Sequence, residues 1–485
     1  MPRSTFPTAA GALAAVIVLL LQMSGARADT IPLTLTAVGD VNLNRHRQEV
    51  REDGVFLWGK VQPFGEPFET MAPYIKGDLR FCNLETTVMD RNDIPFTDKE
   101  YNFRCHPNAV RAIQKVGFNL LSLANNHIKD YGEQGITETR RWLDILADEH
   151  PLHFAGAGSN LDEASEPTVF TVKGVRIAFA AMSLSSNPAG PKTAGAASIY
   201  KPEATLKKLK AAKADIRILS MHAGQEKESK PVAVQLKVAR MAVDDYDVDI
   251  VLGHHAHVVQ GIERRDRGII FYGLGNFCMR GARNMGSVPE FVGTRDFGIL
   301  VRLKMHWDTE ARKLSFRKLS VLPVYDMHSG PHPLSEKEAR ARIAALNEFG
   351  SDRFLGKGRG GFLLEFGKGM GVHDFRKPPT AEDTEASTSV PDGDATASDD
   401  DATDPDDASK ADAKKKAKER SKKKARDKAA KKEKAAAKAK AKAEAKAKAK
   451  AKAEAKAKAK AKAKAKAKAK TKAKAKAEAN ENAEE

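Results

Sequence analysis

The feature that most limits how this 485-residue chain can fold is the composition of its last hundred residues. They contain no aromatic residue, and Val390 is their only branched aliphatic residue. Such a stretch cannot bury enough apolar surface to offset the conformational entropy that folding removes. We therefore predict that the folded region ends near Phe375 and that a disordered acidic linker, 376–409, and a disordered basic tail, 410–485, follow it.

Charge distinguishes the linker from the tail. Residues 381–409 include 11 acidic side chains and no basic ones, whereas residues 410–485 include 32 basic and 10 acidic side chains. The tail repeats Lys-Ala almost without interruption from 437 to 477, which places like charges four residues apart and disfavours an isolated helix. We predict an extended linker and a polycation that becomes helical when an anionic partner neutralises it. A solvated spacer without a specific partner is the alternative.

The first 28 residues are typical of a secretory signal peptide. Arg3 gives a positive start, residues 9–21 are uncharged and apolar, and Ala26 and Ala28 are the small residues that a signal peptidase requires. An uncleaved anchor is disfavoured because these 13 apolar residues are fewer than the roughly 20 that span a bilayer. We predict cleavage after Ala28 and an exported protein of the periplasm or cell envelope.

Three cysteines are too few to form a disulfide-stapled scaffold. An oxidising compartment permits one disulfide among Cys82, Cys105 and Cys278. The odd number leaves at least one free thiol, and the sequence does not indicate which pair would form.

Residues 29–375 are predicted to form an α/β domain, because short apolar runs alternate with helical stretches. A hairpin at a sheet edge is predicted near the end of this region. The predicted strands are Leu33–Val38, Leu79–Leu84, Leu120–Leu123, Val175–Ala181, Ile216–Ser220, Ile250–Leu252 and Gly268–Gly273; the predicted helices are Pro107–Lys115, Ile136–Ala147 and Pro231–Val243; the hairpin pairs Gly298–Met305 with Leu314–Val321.

Residues that can bind metal stand directly after most of these predicted strands. In open α/β sheets the active site lies at the carboxyl ends of the strands. The five loops that carry these residues can therefore converge, although together they span more than 200 residues of the chain. Any one of these residues alone is better explained as a helix cap or a packed core histidine. Together, imidazole, carboxylate and amide groups form a mixed shell that suits Mn, Fe or Zn. They are Asp40, Asn83, Glu85, Asn125, Asn126, His127, His222, His254, His255 and His257.

At these positions the chain resembles the bacterial CapA, or poly-γ-glutamate capsule synthesis, proteins of the calcineurin-like metallophosphoesterase superfamily. The resemblance extends from about Leu33 to Phe277, with six motifs in the family's order. It implies a four-layer sandwich, in which two β-sheets pack together with helices outside. The motifs are Gly39-Asp40, Asn83-Leu84-Glu85, Ala124-Asn125-Asn126-His127 with Asp130-Tyr131-Gly132, His222-Ala223-Gly224-Gln225-Glu226, Gly253-His254-His255-Ala256-His257-Val258 and Leu274-Gly275-Asn276-Phe277.

The resemblance also implies roles for individual residues. Asp40 matches the first metal ligand, and Glu85 stands where the superfamily keeps a carboxylate that bridges two metals. Asn126 matches the amide ligand, and His127 matches the histidine that assists the leaving group. His222 matches an isolated histidine ligand.

Other positions match the family's pattern less clearly. His255 and His257 match the family's final His-x-His pair, and the additional His254 competes with His255 for that role. The superfamily's opening Asp-x-His is replaced by Asp40-Val41-Asn42, which makes Asn42 a weaker candidate ligand. The bridging aspartate is also replaced by a longer glutamate.

These residues predict a site for two divalent ions that can activate water and neutralise charge on a phosphoryl group. Arg104 and Lys129 are candidate substrate contacts, with a solvated surface role as the alternative for each. Three functions are compatible with the sequence: an exported metal-dependent protein of capsule or poly-γ-glutamate-type polymer synthesis or export, a general periplasmic metallophosphoesterase, and a non-catalytic envelope scaffold that binds polymer.

The predicted partners follow from the tail and from export. The basic tail is expected to bind an anionic polymer or the cell-envelope surface. The capsule synthesis or export machinery is a second expected partner. Nucleic acid, the usual partner of such a tail, is not expected for an exported protein.

Overall fold

A computed structural model describes residues 30–184, 187–280, 297–356 and 362–377. All of them belong to the first of the two units into which the chain divides, 1–392. The predicted signal peptide and basic tail, and the acidic linker beyond residue 377, lie outside the described residues. The domain limits drawn from the sequence therefore stay predictions.

The described residues form strands and helices in alternation. The strands are β1 (Thr30–Asn42), β2 (Val55–Leu57), β3 (Lys60–Gln62), β4 (Leu79–Leu84), β5 (Thr87–Val88), β6 (Arg104–Cys105), β7 (Leu120–Ser122), β8 (His153–Ala155), β9 (Ala157–Gly158), β10 (Thr168–Val172), β11 (Val175–Ser183), β12 (Gly195–Ala196), β13 (Ile216–Ala223), β14 (Ile250–His255), β15 (Ile262–Arg264), β16 (Ile269–Phe271), β17 (Asn276–Met279), β18 (Phe297–Asp308), β19 (Lys313–Tyr325), β20 (His332–Pro333), β21 (Glu365–Gly367) and β22 (Met370–Asp374). The helices are α1 (Pro107–Val116), α2 (Gly132–Glu149), α3 (Leu161–Ala164), α4 (Pro202–Ala211), α5 (Ala233–Asp244), α6 (Glu336–Phe349) and α7 (Asp352–Leu355), with a 3-10 turn at Glu66–Phe68.

Local sequence signals set the helix ends. Helix α1 begins with Pro107, whose missing N–H costs nothing at a helix start, and the His106 ring accepts a bond from the backbone of Asn108. It ends at Gly117, where φ is 122°, a conformation that favours glycine. At the start of α6 the Ser335 side chain accepts from the backbone N–H of Glu338.

Two large sheets contain most of the strands. The ten-stranded sheet runs in the order β21-β22-β19-β18-β1-β4-β7-β8, with β17 paired to β1 and β20 paired to β19. The six-stranded sheet has the order β10-β11-β13-β14-β16-β15. Strands β1, β4, β7 and β8 are mutually parallel, as are β11, β13, β14 and β16. Each sheet therefore brings several carboxyl ends to one edge.

The two sheets pack face to face around one apolar core. Phe81 of β4 meets Phe179 of β11 with ring centroids 6.0 Å apart. Helix α4 packs against β11, α5 packs against β14 and β16, and α6 packs against β19 and β22. The predicted α/β class, with two packed sheets and flanking helices, is confirmed.

Two details of the predicted strands were wrong. Strand β1 does not end before Asp40 but continues to Asn42, because its last residues pair with both β4 and β17. The hairpin β18–β19 forms where predicted but does not lie at the edge, because β22 pairs with β19 and β21 with β22. These last two strands have three and five residues, which is too short to show an apolar alternation in the sequence.

In the described part of the chain, no helix has both the length and the apolar character needed to cross a membrane. Cys82, Cys105 and Cys278 are all buried free thiols in this structure. Burial raises the pKa of both Cys105 and Cys278 to about 12, which keeps these thiols protonated and unreactive near neutral pH.

Candidate metal centre

The carboxyl edges of the two sheets meet at one cluster of polar side chains. Asp40 lies near the end of β1, and Glu85 comes directly after β4. His222 and His255 lie near the ends of β13 and β14 in the other sheet. Pairing of His222 with His254 extends both of these strands through their histidines, so these residues lie within strands rather than after them.

Glu85 belongs to two overlapping groups of candidate ligands. One group is Glu85, His222 and His255, and the other is Asp40, Glu85 and His257. Within each group the ligand atoms lie within 4.8 Å of one another. Oε1 of Glu85 is 3.6 Å from Nε2 of His222 and 3.8 Å from Nε2 of His257. The shared carboxylate therefore stands between the two groups.

The environment of Glu85 is suited to a cation. Its side chain is fully buried, and neither carboxylate oxygen has a hydrogen-bond partner. Burial, and then the neighbouring charge of Asp40, raise the pKa of Glu85 well above its usual range. A buried carboxylate without partners costs folding free energy unless a positive charge compensates it. The surrounding imidazole and carboxylate groups are the ligands that Mn, Fe and Zn accept.

Neighbouring amides orient the second ligand group. Nδ2 of Asn83 donates to Oδ1 of Asp40 at 2.8 Å, and Oδ1 of Asn276 lies 2.8 Å from Nδ1 of His257. Burial lowers the pKa of His257, but the attraction of Glu85 and Asp40 outweighs it and raises the pKa to about 10. Burial raises the pKa of Asp40, and the contact with His257 brings it below its ordinary value. Hydrogen bonds from neighbouring residues, such as those of Asn83 and Asn276, fix the orientation of metal ligands.

The turn after β7 brings Asn126 and His127 to the same cluster. Oδ1 of Asn126 lies 2.7 Å from Nε2 of His222. Nδ1 of His127 is 2.7 Å from Oδ2 of Asp130, and its Nε2 is 3.8 Å from Oε1 of Glu85. Asp130 therefore holds the ring of His127 with Nε2 directed at the candidate metal centre.

Lys99 is a residue of this site that the sequence did not reveal. Its Nζ donates to the backbone carbonyl of Asn126 at 2.7 Å and to Oδ1 of Asp130 at 2.8 Å, and it lies 3.2 Å from Nδ1 of His127. The lysine lies in a polar loop between β5 and β6, outside every motif. Asp130 lies within one of the sequence motifs, but the sequence assigned it no role. Its position shortly after Asn126-His127 was the only sequence signal that could have indicated a role in the site.

The structure separates the two adjacent histidines of β14. His255 lies in a ligand group, whereas Nε2 of His254 is 2.9 Å from Oγ of Ser220 and its ring stacks on Phe81, with centroids 5.3 Å apart. His254 therefore packs between the sheets. His255 and His257 have positive φ angles of 86° and 55°, uncommon for non-glycine residues and typical of strained functional turns.

Three other candidates make contacts of a different kind. Both polar atoms of the Asn42 amide bond to the backbone of Asn44. Arg104 donates to two backbone carbonyls and lies over the ring of Tyr131. Lys129 donates to a backbone carbonyl at 2.6 Å. These contacts bind all three side chains to nearby backbone groups and do not join them to the ligand groups.

Replacing each adjacent histidine is expected to have a different effect. His255→Ala should reduce the metal content of the purified protein, because His255 lies in a ligand group with Glu85 and His222. His254→Ala should keep its metal but lower the free energy of unfolding by about 2–3 kcal/mol, because it leaves a cavity and an unpaired hydroxyl. Elemental analysis and thermal unfolding measure the two effects. Metal loss in the His254 variant alone would reverse the assignment.

Comparison with known proteins finds one family and several relatives. A family model described as "Bacterial capsule synthesis protein PGA_cap" matches residues 34–280. The chain is 33% identical over 259 residues to the capsule biosynthesis protein CapA of Bacillus anthracis, which covers 50% of this chain and 59% of that relative. It is 32% identical over 255 residues to the PGA biosynthesis protein CapA of Bacillus subtilis, covering 50% and 63%.

The chain thus spans about three fifths of the length of these curated relatives. Among solved structures, the chain is similar to the calcineurin-like phosphoesterase YfkN of Bacillus subtilis, with a TM-score of 0.36 and 11% sequence identity. That alignment covers 66% of this chain and 98% of the other.

Proposed function

The chain belongs to the bacterial capsule synthesis protein PGA_cap family, and from that premise we propose that it is an exported, metal-dependent hydrolase of phosphate esters. We place its activity in the synthesis or export of capsule or of a poly-γ-glutamate-type anionic polymer. The observation that supports hydrolysis best is Glu85, a fully buried carboxylate without hydrogen-bond partners that two candidate ligand groups share.

The proposed site holds two divalent ions, Mn, Fe or Zn. Asp40, Glu85 and His257 would hold one ion. The shared Glu85, His222 and His255, together with the amide oxygen of Asn126, would hold the other. When bound, such ions withdraw electron density from a phosphoryl group and neutralise its negative charge.

His127 is proposed to serve the leaving group. Asp130 accepts from Nδ1, which leaves Nε2 free to hold a proton on the side of Glu85 and donate it to the departing oxygen. Burial lowers the pKa of His127 below its ordinary value, and the bond to Asp130 opposes this effect only in part. Lys99 fixes both Asp130 and the backbone of Asn126, so it keeps this turn in place.

Two variants should separate a proton donor from a metal ligand. His127→Ala is expected to retain its metal and to lose about 10²–10⁴-fold in kcat on esters whose leaving group needs a proton. His257→Ala is expected to lose metal and turnover together, because His257 lies against both Asp40 and Glu85. Metal content and turnover are measured on the same preparations. Equal metal loss in both variants would contradict the division of roles.

The proposed function is tested with the purified full-length protein. We expect hydrolysis of phosphate esters that a chelator abolishes and Mn²⁺ restores. Activity confined to small aryl phosphates would favour a general phosphoesterase instead. Failure to bind any metal after Mn²⁺ loading would favour a polymer-binding scaffold and would contradict the proposal.

The proposed partners concern the basic tail. Its 32 basic residues are proposed to bind the anionic polymer or an acidic envelope surface, and the capsule synthesis or export machinery is the proposed protein partner. Charge density supports the first of these, because a polycation gains free energy when it releases counterions from a polyanion.

A further inference from the structure

One face of the ten-stranded sheet carries an accumulation of basic side chains away from the candidate metal centre. We infer that this face, formed by β18, β19 and the chain after β22, is a binding surface for a linear polycarboxylate. The identity of that polymer rests on the proposed function, whereas the surface itself does not. We call it the cationic face, and it consists of Lys304, His306, Arg317, Lys318 and Arg376.

The centre of the cationic face contains two lysines that oppose each other. Lys304 of β18 is the direct register partner of Lys318 of β19. Like charges directly across a strand pair destabilise a sheet. In the described part of the chain, no carboxylate forms an ion pair with either lysine. The structure therefore keeps an unfavourable pair that an anionic ligand would neutralise.

A β-bulge adds a third cation to the same side. The register shifts between Lys304 and Met305, so Arg317 is an extra residue on the opposing strand. Arg317 and Lys318 are consecutive and both half-buried, whereas Phe316 and Leu319 on either side are buried. Consecutive residues normally point to opposite sides of a sheet, and the bulge instead directs both cations outward.

The neighbouring charges do not balance this accumulation. Lys318 is the register partner of Asp374 on β22, but that carboxylate already pairs with Arg376 at 2.5 Å. The backbone N–H of Phe375 donates to the carbonyl of Arg317 at 3.2 Å, so the chain that carries Arg376 runs beside Arg317. Burial, and then the charges of Arg317 and Arg376, lower the pKa of His306. Within the described part of this surface, four permanent cations thus accompany one carboxylate, Asp374.

The arrangement favours a linear ligand with repeated charges. Neighbouring strands are about 4.8 Å apart, and alternate residues of one strand are about 6.7 Å apart, so the cations of these strands lie at short, repeated spacings. Helix α6 packs on the inner side of β19 and β22, against Gly371, and among the described residues Lys304 and Arg376 are exposed on the outer side. The cationic face lies within 297–377, beyond the residues 34–280 that the family model matches. It is therefore separate from the family's shared region.

Cross-linking tests the location directly. Full-length protein is mixed with poly-L-glutamate of about 50 residues at low salt, and a carbodiimide joins carboxylates to lysines in contact with them. We expect Lys304 and Lys318 to be joined to the polymer several times more often than Lys207 and Lys237, which are exposed on α4 and α5. Equal labelling of the two pairs, or joining of Lys304 and Lys318 to acidic residues of the chain itself, would overturn the inference.

Paired variants test the affinity. Lys304→Gln/Lys318→Gln should weaken polymer binding about tenfold at low salt, whereas the control Lys207→Gln/Lys237→Gln should leave it unchanged. Both variants lose two charges and keep the tail, so the tail contributes equally. Equal affinities would contradict the inference.

Two further readouts distinguish a binding role from other effects. Removing the opposed lysines should keep or raise the Tm, and a lower Tm would show a structural role instead. Metal-dependent hydrolysis of a small ester should be the same in wild type and both variants. Failure of the cationic face therefore leaves the proposed hydrolase function intact, and failure of hydrolysis leaves the binding test intact.

Discussion

Purified Glu85→Gln protein is expected to contain little or no bound metal and to lose turnover at least about 10²–10³-fold, the loss typical of removing one electrostatic catalytic group. Glu85 is the only residue common to both candidate ligand groups, so its replacement removes a ligand from each of them. Glutamine has nearly the same shape and lacks the charge. The substitution therefore tests charge and coordination with little change in packing.

The same substitution should not lower the stability of the protein when metal is absent. The Glu85 carboxylate is buried without hydrogen bonds, and the neutral amide of glutamine costs less to bury. Metal-free Glu85→Gln protein should therefore unfold at the same or a higher Tm than metal-free wild type. Added Mn²⁺ should raise the Tm of wild type only, because a ligand stabilises the state that binds it.

Asn42→Ala serves as the matched control for this experiment. Asn42 lies two residues from Asp40, but its amide bonds to the backbone of Asn44. We expect this variant to keep its metal content. Unchanged metal in the Glu85 variant, measured by elemental analysis, would show that Glu85 does not bridge two ions.

Much of the fold was predictable because buried parallel strands are continuous apolar runs. Strand β4 matches its predicted bounds, and the two ends of the main hairpin were located within a few residues. The family resemblance noted from the motifs is confirmed by the match to residues 34–280. The extensions of β1, β13 and β14 were not predictable, because they depend on which strands become neighbours.

The candidate site was predictable to the extent that its residues lie in motifs. Asp40, Glu85, His222 and His257 were identified from their positions near the strand ends, and the structure brings all four together. Local sequence could not choose between His254 and His255, because the choice depends on which side of β14 faces the second sheet.

Lys99 illustrates what a motif cannot show. It lies in a loop of ordinary polar composition, and only the folded chain places its Nζ at 2.8 Å from Asp130. Asn42 is a second example. Its position two residues after Asp40 suggests a metal ligand, but its side-chain oxygen accepts from the backbone N–H of Asn44. Contacts between distant loops therefore account for most of what sequence reasoning missed.

A shortened protein that ends at Pro379 is expected to lose most of its affinity for anionic polymer. The removed residues include the 32 basic side chains of the tail, and each cation that contacts a polymer charge can release a counterion. For DNA, six to ten such contacts change affinity by about 10³–10⁵ between 50 and 200 mM salt. Full-length protein should therefore bind poly-glutamate at low salt and release it as the salt concentration passes the physiological range.

Co-sedimentation with poly-glutamate across a salt series measures both proteins. The shortened protein should keep its metal content and its activity on small esters, because residues 380–485 contain no aromatic side chain and only one branched aliphatic side chain, Val390, too little to contribute to a core. Its remaining affinity should show a shallow salt dependence, and Lys304→Gln/Lys318→Gln should remove it, since the cationic face is then the main source of binding. Equal binding by the full-length and shortened proteins would show that the tail is a spacer and that the folded region alone recognises the polymer.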